Sequence, residues 1–187
     1  RDLDHEVRAG PLDCRIGDDA GSRLGVSGID EGGTLAGTRF DDVIVGTSRA
    51  DTLEGRGGED FLSGRGGDDR LLGQDDADVL AGGVGNDVLK GGDWMDYLVG
   101  GPGDDQYDGG LGIEDVASFE FATAAVLVDL AARTAAGEGS DTLVDVEWVV
   151  GSRFGDVLTG DVEDNGGSLD TGSQVVPQAY VQASREV

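Results

Sequence analysis

A nine-residue period runs without a slip from Gly37 to Asp108. Its eight units are GTRFDDVIV, GTSRADTLE, GRGGEDFLS, GRGGDDRLL, GQDDADVLA, GGVGNDVLK, GGDWMDYLV and GGPGDDQYD. The first place is always glycine: Gly37, Gly46, Gly55, Gly64, Gly73, Gly82, Gly91 and Gly100. The sixth is always aspartate: Asp42, Asp51, Asp60, Asp69, Asp78, Asp87, Asp96 and Asp105. The eighth is Ile44, Leu53, Leu62, Leu71, Leu80, Leu89, Leu98 or Tyr107. Such a register is an architectural signal, to be read before any local motif.

Each unit has two halves. Six residues rich in glycine and aspartate are turn material, and three with a central apolar residue are strand material. A three-residue strand does not persist alone. Stacked in parallel on identical neighbours about 4.8 Å apart, it does. Two units close one coil, because each turn reverses the chain. The spacing therefore predicts an all-β parallel solenoid with two facing ladders. One runs Ile44, Leu62, Leu80, Leu98, and the other Leu53, Leu71, Leu89, Tyr107.

That seam is too thin to fold the chain. A buried leucine is worth roughly 1.5–3 kcal/mol, whereas fixing each of its unit's residues costs about 1–2 kcal/mol. Stacking also places like-charged aspartates roughly 5 Å apart, at a few kcal/mol per pair. A cation must supply the difference. Carboxylates and bare carbonyls form a hard, all-oxygen environment that suits Ca²⁺, which takes 6–8 oxygens.

The unit GGVGNDVLK, Gly82 to Lys90, fits G-G-x-G-x-D-x-U-x, with U large and apolar, at every fixed place. The chain thus resembles the haemolysin-type calcium-binding repeats of RTX proteins. The resemblance implies a right-handed parallel β-roll with calcium between each turn and the turn two repeats later. The earlier turn would offer carbonyls from its second and fourth places, the later turn from its first and third, and both their sixth-place aspartates. One implied site joins Gly83, Gly85 and Asp87 to Gly100, Pro102 and Asp105; another joins Arg65, Gly67 and Asp69 to Gly82, Val84 and Asp87. The implied ligands elsewhere are the remaining sixth-place aspartates with Gly55, Gly57, Gly58, Gly64, Gly66, Gly73 and Gly91. Asp141 and Asp156 would serve later copies. Eight turns leave up to six gaps. The fourth place needs a left-handed backbone and holds Phe40, Arg49, Asp76 and Trp94 in four units, where distorted turns are expected. Asp75 and Asp93, at third places, would add side-chain oxygen.

Composition agrees. The 187 residues include 39 acidic and 13 basic side chains, a formal net charge of −26. This disfavours nucleic acid and anionic membranes as partners. No apolar run is long enough to span a membrane. A lone Cys14 excludes an internal disulfide framework and reads as inert. The only histidine, His5, lies in DHEV rather than HExxH, and reads as solvated. No signal peptide is visible, and a fragment or processed form is expected.

The repeat suggests four segments. Residues 1–36 are a lead and a degenerate capping coil, in which Gly33 replaces the aspartate and Leu24-Gly25-Val26 reads as a strand. Residues 37–108 are the core roll. Residues 109–168 are a wider, irregular extension: a residue is inserted before Asp115, ATAAVLVDL reads as a longer strand, and AGEGSDTLV and GSRFGDVLT are further copies. There VEWVV reads as a strand with Trp148 in the core, whereas Trp94, in a turn, is expected to be exposed. Residues 169–187 are a tail, read as frayed or as a joining strand.

The function expected is a calcium-binding module of a secreted bacterial protein, folding on calcium outside the cell or at its surface. Two alternatives remain: a calcium-dependent self-assembling subunit of a filament or surface layer, and the targeting module of a secreted enzyme that holds a cell-surface polysaccharide. Catalysis within this chain is not expected, because the repeat already accounts for its carboxylates as ligands.

Overall fold

The computed structural model describes residues 13–15, 25–27, 32–112 and 114–160. The expectations for His5, for the end of the extension beyond Gly160 and for the tail lie outside these residues. Strands are β1 (Asp13–Arg15), β2 (Gly25–Ser27), β3 (Thr34–Ala36), β4 (Val43–Val45), β5 (Thr52–Arg56), β6 (Phe61–Gly66), β7 (Arg70–Gln74), β8 (Val79–Val84) and β9 (Val88–Asp93). They continue as β10 (Tyr97–Val99), β11 (Gln106–Leu111), β12 (Val116–Ser118), β13 (Leu127–Asp129), β14 (Thr134–Ala136), β15 (Ser140–Val144), β16 (Trp148–Val150) and β17 (Val157–Thr159). Among the described residues there is no helix, so none long and apolar enough to cross a membrane.

Successive strands alternate between two sheets, as two units per coil require. Odd-numbered strands build one in the order β1-β3-β5-β7-β9-β11, and even-numbered strands the other, β16-β12-β10-β8-β6-β4-β2. Pairing is parallel and shifts by eighteen residues per step: Ile44↔Leu62, Leu62↔Leu80 and Leu80↔Leu98 on one side, Leu53↔Leu71, Leu71↔Leu89 and Leu89↔Tyr107 on the other. The eighth-place side chains face each other between the sheets, and the leucines from Leu53 to Leu98 are fully buried. The strand Gly25–Ser27 falls where the sequence placed one, pairing Val26 with Ile44.

Tyr107 ends its ladder inside the core. Its hydroxyl accepts the Gly100 N–H at 2.8 Å, so the polar tip is satisfied. Its ring packs against Phe119 with centroids 5.6 Å apart. Beyond it the roll widens. β15 continues from β11, with Tyr107 opposite Leu143, so a full coil here takes thirty-six residues instead of eighteen. The extra chain adds β14, β13 and β17 to the open edge of that sheet.

Three expectations need correction here. The sheet is not parallel throughout, since β14 runs antiparallel to both β13 and β15; the wide coil folds back on itself before continuing. ATAAVLVDL forms only the three-residue strand Leu127–Asp129, because its partners β14 and β17 are each three residues long. Trp148 is not core: it is 37% exposed, and Val149 beside it holds the inward position. Trp148 occupies a seventh place, and neighbouring strand residues point to opposite faces. It belongs to an outer row, Val43, Phe61, Val79, Tyr97, Val116 and Trp148, aligned across six strands with no charged member.

The seam predicts a position-dependent cost. In saturating calcium, Leu80→Ala should destabilise the roll by about 2–5 kcal/mol, the range for emptying a packed site. Val79→Ala, on the outer face, should stay near about 0.5 kcal/mol. Denaturant titrations of the two variants measure the difference.

Candidate metal centres

The six turns that start at Gly55, Gly64, Gly73, Gly82, Gly91 and Gly100 share one backbone shape. The second place is left-handed at Arg56 (φ 88°), Arg65 (75°) and Gln74 (88°), and at glycine in the turns that follow. The fourth place is left-handed throughout, including Asp76 (73°) and Trp94 (80°). The distortion expected at Asp76 and Trp94 is therefore absent: both adopt the backbone that glycine takes elsewhere. Such conformations cost non-glycine residues about 1–3 kcal/mol each unless the surroundings over-determine them. Trp94 is 69% exposed, as its turn position suggested. Asp75 and Asp93 are also exposed on the turns.

The first-place glycine has a separate reason. A Cβ on Gly64 would lie 2.1 Å from Asp69 Oδ2, the carboxylate of its own turn. The same near-contact recurs along the array, from Gly55 with Asp60 to Gly100 with Asp105. The period's two fixed polar places thus touch each other.

From Asp51 to Asp105, each sixth-place aspartate reaches back to the coil below it. Asp60 Oδ1 accepts the Asp42 N–H at 2.7 Å, and the pattern repeats at Asp78 from Asp60, Asp96 from Asp78, and Asp115 from Asp96. On the other edge Asp51 accepts from Gly33, Asp69 from Asp51, Asp87 from Asp69, Asp105 from Asp87, and Asp141 from Asp105. The degenerate copy keeps this backbone donor at Gly33 although it lacks the carboxylate. The inserted residue before Asp115 is absorbed, and Glu147 Oε2 extends that ladder by accepting the Asp115 N–H at 3.0 Å.

The second carboxylate oxygen is the exposed chemistry of a buried group. Oδ2 of Asp60, Asp69, Asp78, Asp87, Asp96, Asp105 and Asp115 is buried with no hydrogen-bond partner. Burial pushes these carboxyls up, with neighbouring aspartates adding to the shift and the backbone N–H opposing it. Asp60, Asp69, Asp96 and Asp105 rise to about 7, Asp78 to about 8, and Asp87 and Asp115 rise as well. Asp141 rises to about 6 for the same reasons. An unsatisfied buried carboxylate is among the most costly groups a fold can hold.

Carbonyl oxygens line the same gaps. A Cβ on Gly85 would lie 2.1 Å from the Gly67 oxygen, and one on Gly83 would lie 2.3 Å from the Arg65 oxygen. From the facing turn, Val84 O accepts the Gly67 N–H at 2.9 Å, and Pro102 O accepts the Gly85 N–H at 3.1 Å. A carbonyl has two lone pairs, so one such bond leaves room for a metal. Among the described residues no three His, Cys, Asp or Glu side chains converge. Each gap instead offers paired aspartates and main-chain oxygen, which matches the preference of Ca²⁺.

Three aspartates in the pattern are placed differently. Asp42 Oδ2 accepts the Thr38 N–H at 2.6 Å and the Thr38 hydroxyl at 3.0 Å. Asp51 Oδ2 accepts the Thr47 N–H at 2.7 Å and its hydroxyl at 2.8 Å. Asp156 Oδ1 accepts the Ser152 hydroxyl at 2.6 Å and the Val126 N–H at 2.8 Å. Hydrogen bonds to charged groups contribute about 1.5–3 kcal/mol. Sequence reasoning missed these hydroxyls, and missed Asp115 and Glu147 as ladder members. The signal for the hydroxyls was a Thr or Ser directly after the first-place glycine.

Stacked parallel coils with oxygen-lined corners define a calcium-binding solenoid. The chain matches the RTX calcium-binding nonapeptide repeat, in four copies, over residues 36–71, 72–93 and 96–113. Those residues form an RTX β-roll, and RTX repeats bind Ca²⁺, for which the buried aspartates are suited. A search of curated proteins gives no match.

The raised carboxyls fix a sign for pH. A folded-state value near 7–8 against an unfolded 3.8 means that the metal-free roll binds more protons than the open chain. Its stability therefore grows as pH falls from about 8, and is fully gained only near pH 4. In chelator, circular dichroism should show more β-structure at pH 5.5 than at pH 8. The opposite order would contradict the burial of uncompensated carboxylates.

Proposed function

We propose that this chain is a calcium-folded module of a secreted bacterial protein, closing its roll only where calcium is abundant. One ion sits between each open turn and the turn two repeats later. In the gap from turn 82–87 to turn 100–105, carbonyls of Gly83, Gly85, Gly100 and Pro102 join Asp87 and Asp105. In the gap before it, Arg65, Gly67, Gly82 and Val84 join Asp69 and Asp87. Asp87 thereby bridges two ions. Asp115 and Asp141 extend the two edges into the wider coil. The observation that carries this reading is the row of seven buried Oδ2 atoms with no donor.

Extracellular modules bind calcium at about 10⁻⁴–10⁻³ M. At cytosolic calcium the corners would repel, leaving an acidic, threadable chain; outside, ion loading and folding would be one event. The role is structural, with the carboxylates engaged as ligands. A second reading, attachment to another copy or to a neutral cell-surface polysaccharide, draws on the uncharged outer row that includes Phe61 and Trp148. Light scattering and polysaccharide pull-down in calcium test it.

Far-UV circular dichroism with calcium and with chelator at pH 7.5 tests the main reading. A calcium-dependent gain of β-signal is expected, and identical spectra would rule the reading out. Asp87→Ala should raise the calcium concentration at half-folding by at least about tenfold, equivalent to about 1.4 kcal/mol, because it strips two gaps at once. An unchanged midpoint would remove Asp87 from the ligand set.

A further inference from the structure

The array contains two kinds of turn, and the residue in second place decides which one forms. Where that place holds Arg, Gln or Gly it is left-handed, as at Arg65 (φ 75°) and Gly83 (φ 112°). Its N–H then points to the next coil: Gly83 N–H donates to Gly100 O at 2.8 Å. The aspartate of that turn keeps a bare Oδ2. Where the place holds threonine, neither the second nor the fourth residue is left-handed. The Thr38 and Thr47 N–H groups turn inward to their own aspartates, with the hydroxyls beside them. Each hydroxyl also accepts the fourth-place N–H, from Phe40 at 3.2 Å and from Arg49 at 3.1 Å. The distortion expected at Phe40 and Arg49 is thus a different, complete turn.

The cause is steric. A β-branched residue is a severe outlier at positive φ, so threonine cannot take the open shape. Its hydroxyl then supplies a donor that the closed shape needs. Ser152 repeats part of the arrangement: its hydroxyl accepts the Phe154 N–H at 3.0 Å and donates to Asp156, but to Oδ1, the oxygen that also takes the Val126 N–H. Closed turns therefore precede the open array at 37–42 and 46–51, and a partial counterpart follows it at 151–156.

We infer that Thr38 and Thr47 exclude calcium from the first turn of each edge, their N–H and O–H groups occupying the carboxylate oxygen that elsewhere faces the ion. Ion loading then begins only with the gaps above Asp60 and Asp69. The coil that holds these two turns is hydrogen-bonded without metal and serves as the fixed base on which the calcium-dependent coils stack. This inference rests on calcium binding between the open turns, but not on how many of those sites fill.

Isothermal titration calorimetry with CaCl₂ counts ions for the whole chain and its variants. The Thr38→Gly/Thr47→Gly chain should bind more calcium, up to one further ion per opened turn. The Thr38→Val/Thr47→Val chain should gain none, because valine still blocks positive φ, and should melt lower. Conversely, Gly83→Thr should close the turn at Asp87 and lose at least one ion while circular dichroism in calcium keeps its β-signal. If the glycine double variant does not fold, the Gly83→Thr count decides. Unchanged counts in the glycine and Gly83→Thr variants, with the parent chain binding calcium, overturn this inference alone. A parent chain that binds none overturns the functional reading beneath it.

Discussion

A carboxylate oxygen sealed from water with nothing to donate to it is the constraint around which this molecule is arranged. Along each edge, the corner aspartates from Asp60 to Asp115 spend one oxygen on the backbone of the coil below and leave the other bare. The first oxygen fixes the stacking distance. The second makes the stack incomplete by itself. Removing one bare oxygen would leave the others, so the requirement belongs to the row and not to any single residue. A calcium ion meets it because the surrounding groups are all oxygen, held by main chain that does not need to move far to admit the ion.

The apolar seam and the polar corners are therefore interdependent. One leucine per short strand positions the turns but supplies too little free energy to hold nine residues. The corners supply the remainder only when the strands already hold them in register. Glycine at the first place joins the two, since the carboxylate of the same turn packs against its Cα. A side chain there would displace the ligand before it disturbed the sheet.

The ends are built differently from the middle. At the start, threonine satisfies the carboxylates that calcium would otherwise meet. At the far end, the wide coil folds back through β14, Tyr107 places a hydroxyl into the core, and Glu147 takes the Asp115 amide. These devices flank the run of bare oxygens.

The period alone determined the parallel roll, its two ladders, the strand register and the identity of the corner aspartates. Those features follow from identical units that have only one way to stack. Asp76 and Trp94 were misjudged because propensity at one residue was weighed against a turn whose shape its neighbours enforce. Trp148 was misjudged because apolar character does not say which face of a strand a residue occupies; the position beside Val149 does. Where the row of bare oxygens begins became legible only in the tertiary structure, although a threonine after the first-place glycine marks it. A threonine and an arginine in the same place look equally polar on the page, and only the backbone angle each can accept turns one turn inward and leaves the other open.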